Sequence, residues 1–368
     1  MIGNMEKQNT IFKDNLFTRL FWPLMALGLL LVFNLICTQG FFHIEVRDGH
    51  FYGTLLDILN HGSKVMVLAI GMTLVIATKG VDLSVGAVMA VAGAVAALLV
   101  GQVEHGWIFC DGFTLGGLVP LLNAHQLSWF LPVIAALLVS LVAGFWNALL
   151  VAGFRIQPIV ATLVLMVAGR GIAQLITDGQ IITFTNTGLV YLGNGYFLRV
   201  PVSVWIAMGV FTVVAILVRK TALGLFIESV GNNETASFYA GIHSKTIKGL
   251  TYVICGLCAG VAGLIASSNI KCADSNNAGL YLELDAILAV VIGGTSLNGG
   301  RFFLAGSIAG AILIQTLTTT MYARDVSPHV AAVPKALVII MVCLMQSETF
   351  RNRAAGIFKR SRKRAWSL

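Results

Sequence analysis

The residues able to do chemistry are few, and their types suit hydrogen bonding to a neutral solute rather than bond making. Arg170 interrupts the apolar stretch Ile159 to Ile176 and is the only charge expected deep inside such a stretch. A guanidinium in hydrocarbon is costly, at least ~3 kcal/mol, and is tolerated where it faces a bundle interior or a wet pathway. Gln157 and Thr162 precede it, and Gln174 follows four residues later on the same helical face. Such a polar edge either lines a cavity or bonds neighbouring helices, the second being the commoner outcome. Gly169 and Gly171 beside Arg170 predict the close approach of another backbone.

A second polar stretch is Thr78-Lys-Gly-Val-Asp-Leu-Ser84, where Asp82 or Ser84 can cap the following helix. This role is compatible with a place near a solute pathway. A third runs from Asp274 to Arg301, with Asn276, Asn277, Glu283 and Asp285 expected at a membrane boundary. Its glycine-rich end, Gly293 to Gly300, resembles a phosphate loop but places Gly300 and Arg301 where the lysine and hydroxyl of such a loop belong. The chain therefore carries no nucleotide site of its own. Cys255 and Cys258 lack a second ligand pair and read as small buried residues. The seven histidines are expected outside the spans and show no His-Glu-x-x-His spacing. No enzyme activity, cofactor or metal is expected.

The elements that must hold these groups are membrane helices. Of 368 residues 57% are hydrophobic and only 11% charged, whereas a soluble domain has about a quarter charged. Each span needs ~20 apolar residues. Hydropathy predicts ten, near 20–37, 63–78, 83–100, 131–152, 159–176, 202–218, 250–268, 284–297, 303–320 and 333–346. The fold class is an all-α polytopic membrane protein: a polar tail 1–19, one transmembrane domain 20–346 and a basic tail 347–368. Most of the 24 lysines and arginines fall on one side of this arrangement. The positive-inside rule then places both termini in the cytoplasm and loop 101–130 outside. The basic tail suits anionic membrane lipid, and no nucleic-acid partner is expected. Loop 219–249 is the longest inner connection. In it, Gly231 to Gly241 predicts a short helix capped by Asn232 or Asn233, with Phe238 and Tyr239 as an aromatic knob.

Four stretches together resemble the permease subunits of sugar-importing ABC transporters, the ribose, xylose and galactoside group. They are LAIGMTLVIATKGVDLSVGAVMA (68–90), IQPIVATLVLMVAGRG (156–171), TALGLFIESVGNN (221–233) and LELDAILAVVIGGTSLNGG (282–300). The wording, with DSNNAGLYLELDAI, is most similar to the galactofuranose branch. The resemblance covers roughly residues 51 to 350. It implies import of a monosaccharide by alternating access and three partners: a cytoplasmic ATPase, a second permease (identical or homologous) and a periplasmic sugar-binding protein. The ATPase-coupling segment of the family falls on Gly231, Asn232, Asn233, Glu234, Ala236, Tyr239 and Gly241. Ser237-Phe238-Tyr239 stands where many relatives have a basic residue. Loop 101–130 is long for the family and is expected to contact the binding protein. The expected pathway residues are Gln157, Thr162, Arg170, Gln174, Asp82, Ser84 and Asn277. The competing expectation is an ion-coupled secondary transporter of a small neutral solute, which needs titratable acids near the bilayer midplane.

Overall fold

The computed structural model describes residues 21–105 apart from 39 and 48, and 129–327, with 330, 333, 335–337 and 340 beyond. The expected tails 1–19 and 347–368, most of loop 101–130 and most of the span 333–346 lie outside the described residues. The helices are α1 Phe21–Cys37, α2 Thr54–Ala77, α3 Val85–His105, α4 Phe130–Ala148 and α5 Pro158–Thr177. They continue with α6 Thr187–Asn194, α7 Val202–Lys220, α8 Leu223–Asn232, α9 Glu234–Tyr239, α10 Ser244–Ile270, α11 Leu282–Ile292 and α12 Leu304–Tyr322. Six helical segments among the described residues are long and apolar enough to cross a membrane, and Phe21–Cys37 and Val85–Val100 are shorter apolar ones. Three two-stranded pairs, β1 Glu45–Arg47 with β2 His50–Tyr52, β3 Ile182–Thr183 with β6 Cys272–Ala273, and β4 Tyr196–Phe197 with β5 Val200–Pro201, tie the connections together.

α10 is the hub, packing on α2, α3, α4 and α6. Lipid offers no hydrophobic drive between helices, so small residues that let backbones touch must supply the packing. A Cβ on Gly71 of α2 would lie 2.9 Å from the Cα of Cys255, and one on Gly256 would lie 2.7 Å from the Cα of Gly144 in α4. Cys255 and Cys258 are free and buried in this seam, as expected of small apolar residues.

Three expectations need correction. The second span is a helix of 24 residues that starts at Thr54, so Asp57, His61 and Lys64 lie within it. Arg170 is therefore not the only charge deep in a span, and His61, like His105 at the end of α3, is not in a loop. These polar residues dilute the hydropathy of the first turns, which concealed the true start. The eighth span is an 11-residue helix, Leu282–Ile292. At 1.5 Å per residue it reaches ~16 Å, half a bilayer. The helix ends because Gly294 takes a left-handed φ of 88°, opening the turn to α12. Finally, the short helix expected between the bounding glycines is Glu234–Tyr239 with Asn233 as its cap, but Gly231 is not a free boundary: it sits buried near the end of the unanticipated α8.

Between α4 and α5 the chain makes a π-turn, Leu149–Gly153, in which the Phe154 amide donates to the Leu149 carbonyl at 2.9 Å. Pro158 then opens α5 at its first turn, where a missing amide costs nothing.

Candidate functional site

Arg170 is the thirteenth residue of α5, ~18 Å from its start. Its guanidinium Nη1 donates to the carbonyls of Ala278 at 2.6 Å and Ser275 at 3.1 Å. Both belong to the irregular segment 274–281 that precedes the half-helix α11. Irregular backbone at membrane depth is tolerated only where protein or a water-filled cavity surrounds it, and Arg170 supplies the donors that hydrocarbon cannot. The carboxylates of Glu283 and Asp274 stand close enough to act on its charge. One turn further, Gln174 Nε2 donates to Asn276 Oδ1 at 2.7 Å, and Thr177 Oγ1 donates to Ser275 Oγ at 2.8 Å. Arg170, Gln174 and Thr177 thus form one edge of α5 that stitches it to this segment.

Asp274 organises the same segment from within. Its carboxylate accepts from the amides of Asn276 and Asn277 at 3.0 Å each and from Asn277 Nδ2 at 2.8 Å. Slight burial pushes this carboxyl up, but the bonds from Asn277 and Asn276, with the Arg170 charge, outweigh it and hold the group below its ordinary value. The side chains of Gln174, Asn276 and Asn277 remain exposed. The chemistry on offer is therefore amide donors and acceptors beside a guanidinium that is already engaged. Close packing supports the cluster on one side only. A Cβ on Gly169 would meet Ala87 Cβ at 3.2 Å, whereas Gly171 has open space around it, so the expected close approach holds for the first glycine and not the second.

Asp82, Ser84 and Thr162 lie in a separate, buried knot. Asp82 Oδ1 accepts from the Ser84 amide at 3.0 Å, Ser84 Oγ at 2.6 Å and Asn147 Nδ2 at 3.2 Å, fixing the entry to α3. Thr162 Oγ1 donates back to the Pro158 carbonyl at 2.9 Å and reaches the Val81 carbonyl at 3.4 Å. Asp82, Ser84 and Thr162 are each paired here and face no open space, while the side-chain oxygen of the knot's fourth member, Asn147, has no hydrogen-bond partner among the described residues. Asn147, absent from the expectations, is the partner that joins α4 to this turn. An apolar run gives no sign of which distant turn its one amide will meet.

Gln157 lies at the end of the molecule that carries α9. It lines a groove of about 670 Å³ with Arg155, Glu234, Phe238, His243 and Lys245. Here Asn233 caps α9, its Oδ1 accepting from the Ala236 amide at 3.0 Å. Glu234 pairs with Lys248 at 2.5 Å, and the Ser229 and Ser237 hydroxyls meet at 2.8 Å, fixing α9 against α8 and α10. Gly241, with φ of 84°, ends the segment. Phe238 and Tyr239 are 66% and 83% exposed, an uncovered aromatic knob.

Beneath α9 three backbones converge. The Ala77 carbonyl at the end of α2 accepts from the Gly300 amide at 2.9 Å. A Cβ on Gly231 of α8 would lie 1.8 Å from that same carbonyl oxygen. Lys79 Nζ donates to the Asn232 carbonyl at 3.1 Å. Asn232 thus contributes its backbone to this joint. The Gly231, Lys79 and Gly300 contacts were not anticipated as a unit, although each glycine stood in a motif.

A family described as branched-chain amino acid transport system / permease component matches residues 54–345. The galactofuranose transporter permease protein YtfT of Escherichia coli (strain K12) is 46% identical, covering 93% of this chain and 95% of that protein. The fructose import permease protein FruF of Bifidobacterium longum is 37% identical over 97% of this chain and 95% of its own length. The ribose import permease protein RbsC of Escherichia coli (strain K12) is 34% identical over 88% and 92%. No solved structure matches.

Proposed function

This chain belongs to the family of branched-chain amino acid transport system permease components, and from that premise we propose that it is the membrane-embedded permease of an ATP-driven sugar importer. Its solute is galactofuranose or a related pentose or hexose, carried from periplasm to cytoplasm across the cell inner membrane. The observation that carries the sugar assignment is the similarity, over nearly the full length of both chains, to permeases named for galactofuranose, fructose and ribose. The polar cluster supports it. A zwitterionic amino acid needs free fixed charges, but Arg170 is engaged by two carbonyls and flanked by two carboxylates. The accessible groups are the amides of Gln174, Asn276 and Asn277, which suit sugar hydroxyls.

The end carrying α9 is the cytoplasmic end in this reading, consistent with Arg219 and Lys220 closing α7. Phe238 and Tyr239 seat in a separate ATPase subunit, and Gly231 to Gly241 passes its movement on. A second permease copy or relative completes the membrane assembly, and a periplasmic binding protein delivers sugar. In this reading the chain crosses the membrane ten times with both termini cytoplasmic, the half-helix α11 and the irregular segment before it together making one crossing. Gln174, Arg170 and Asn277 stand by the solute pathway; Asp82, Ser84 and Thr162 hold helices beside it; Gln157 belongs to the coupling end. An ion-coupled carrier is less favoured, because the relatives that match over nearly the full chain are sugar import permeases, and Asp285, one of the acids in α11, is already paired with Lys335 at 2.6 Å.

The test is uptake in vesicles containing this chain, its ATPase and its binding protein, using labelled galactofuranose with ribose, fructose and leucine as competitors. Sugar uptake that requires ATP is expected. Uptake of leucine, or uptake driven by an ion gradient without ATP, would overturn the reading. Replacing Asn232 to Glu234 should abolish uptake while leaving membrane insertion intact.

A further inference from the structure

The half of α2 remote from α9 carries three ionisable side chains that neither the Arg170 cluster nor the coupling end uses. Asp57, His61 and Lys64 fall at i, i+4 and i+7, so they share one side of the helix. Asp57 and His61 are exposed and Lys64 is half-buried. Lys64 lies thirteen residues before Ala77, ~20 Å along the helix from the coupling end and well inside a bilayer. Its ammonium makes no hydrogen bond or ion pair among the described residues.

The same side of α2 continues seven residues on to Gly71, where α10 closes against it, a Cβ there lying 2.9 Å from the Cys255 Cα. Further up, α10 turns to other partners. Ser268 Oγ accepts from the Gly193 amide at 2.6 Å and Asn194 Nδ2 donates to the Ser268 carbonyl at 2.8 Å, binding the last turns of α10 to α6. The ionisable stripe therefore shares the side of α2 that α10 closes at Gly71, but lies nearer the opposite end of the helix.

Three surroundings are conceivable for such a stripe: lipid, a partner helix or water. Lipid is disfavoured, because an unpaired ammonium and a carboxylate in hydrocarbon have nothing to offset their lost hydration. A subunit contact would bury an ammonium without a partner in its own chain, which is costly for the same reason. Water solvates the exposed Asp57 and His61 and offers the half-buried Lys64 ammonium a hydration partner.

We propose that Asp57, His61 and Lys64 line a water-accessible vestibule through which the solute enters from the end opposite α9, with Lys64 at its floor above the Gly71–Cys255 seal. This inference rests on the import reading given above. It adds a set of entrance residues, rich in hydrogen-bonding groups, that are separate from the Arg170 cluster.

Single variants D57C, H61C, K64C and L68C, each in the C37S chain within the complete assembly, test it. Leu68 is fully buried on the same side below the floor. A charged, membrane-impermeant thiol reagent, applied from the side opposite α9, should modify H61C and K64C an order of magnitude faster than L68C, counted above the C37S parent. Modification of K64C should also block uptake. D57C reports the rim and remains informative if K64C fails to insert. The proposal is overturned if H61C and K64C react only with a lipid-soluble maleimide, or if they cross-link to a second copy of the chain. Failure of the import reading would appear separately, as an unmodified assembly that takes up no sugar while the labelling pattern persists.

Discussion

The ammonium of Lys79 lies 3.1 Å from the carbonyl oxygen of Asn232, joining the turn after α2 to the last turn of α8. A cation at a helix C-terminus contributes about 0.3–1 kcal/mol at an exposed site. K79M should therefore weaken the link without unfolding the chain. Sugar uptake per ATP hydrolysed should fall about two- to fivefold, while ATPase binding measured by co-purification stays the same. Unchanged coupling would show that the contact transmits nothing.

Gly231 and Gly171 give a paired prediction, since both lie in helices but only one touches another backbone. A Cβ at 231 would stand 1.8 Å from the Ala77 oxygen and 2.6 Å from the Gly300 nitrogen, whereas one at 171 meets nothing within 4 Å. G231A should cost about 3 kcal/mol or more, because backbone on both sides must move. G171A should be neutral or stabilising by up to ~1 kcal/mol. Thermal unfolding of the detergent-solubilised protein separates the two, and similar melting points would refute the joint.

Arg170 holds two carbonyls, so R170Q should act on stability more than on solute affinity. Each carbonyl left without a donor costs about 1–3 kcal/mol. The melting temperature should drop by several degrees while the half-saturating sugar concentration shifts less than about threefold. A large change in apparent affinity with unchanged melting would instead place Arg170 in direct contact with sugar.

Asp274 predicts an acid-sensitive segment. Its folded value lies below the ordinary 3.8 because Asn276, Asn277 and Arg170 favour the carboxylate over the opposing effect of burial. A depressed acid stabilises the fold fully above its unfolded value and loses that contribution as pH falls through the folded one. The wild type should therefore lose stability on acidification below about pH 4, and D274N should lack this component. The site is solvent-screened, so the difference stays under about 1 kcal/mol. Equal pH dependence of melting in both proteins would remove Asp274 from the role.

The sequence announces the spans because hydropathy is a local property, and Pro158, Asn233 and the short α9 are legible for the same reason. The first turns of α2 were hidden because Asp57, His61 and Lys64 make a membrane helix look like a loop. The break after Ile292 was hidden because Leu282 to Ile292 and the glycines after it read as one apolar run. Arg170 was recognisable as a residue in need of partners. Its partners were not, since the carbonyls of Ser275 and Ala278 lie 105 and 108 residues away and carry no side-chain signature. Likewise Asp82 could be read as a cap, but its bond to Asn147 across 65 residues exists only in the folded bundle.

The widened turn Leu149–Gly153 holds one residue more than an α-helix would use for the same rise. Deleting that extra residue would restore ordinary winding and leave the direction of the following chain almost unchanged, whereas deleting a second would swing it by ~100° about the α4 axis. Arg170 would then point away from segment 274–281, and the chain would lose its alignment of α5 without losing one apolar contact in α4. Homologous permeases should consequently tolerate substitution in this pentapeptide, or loss of its one extra residue, far more readily than the loss of two.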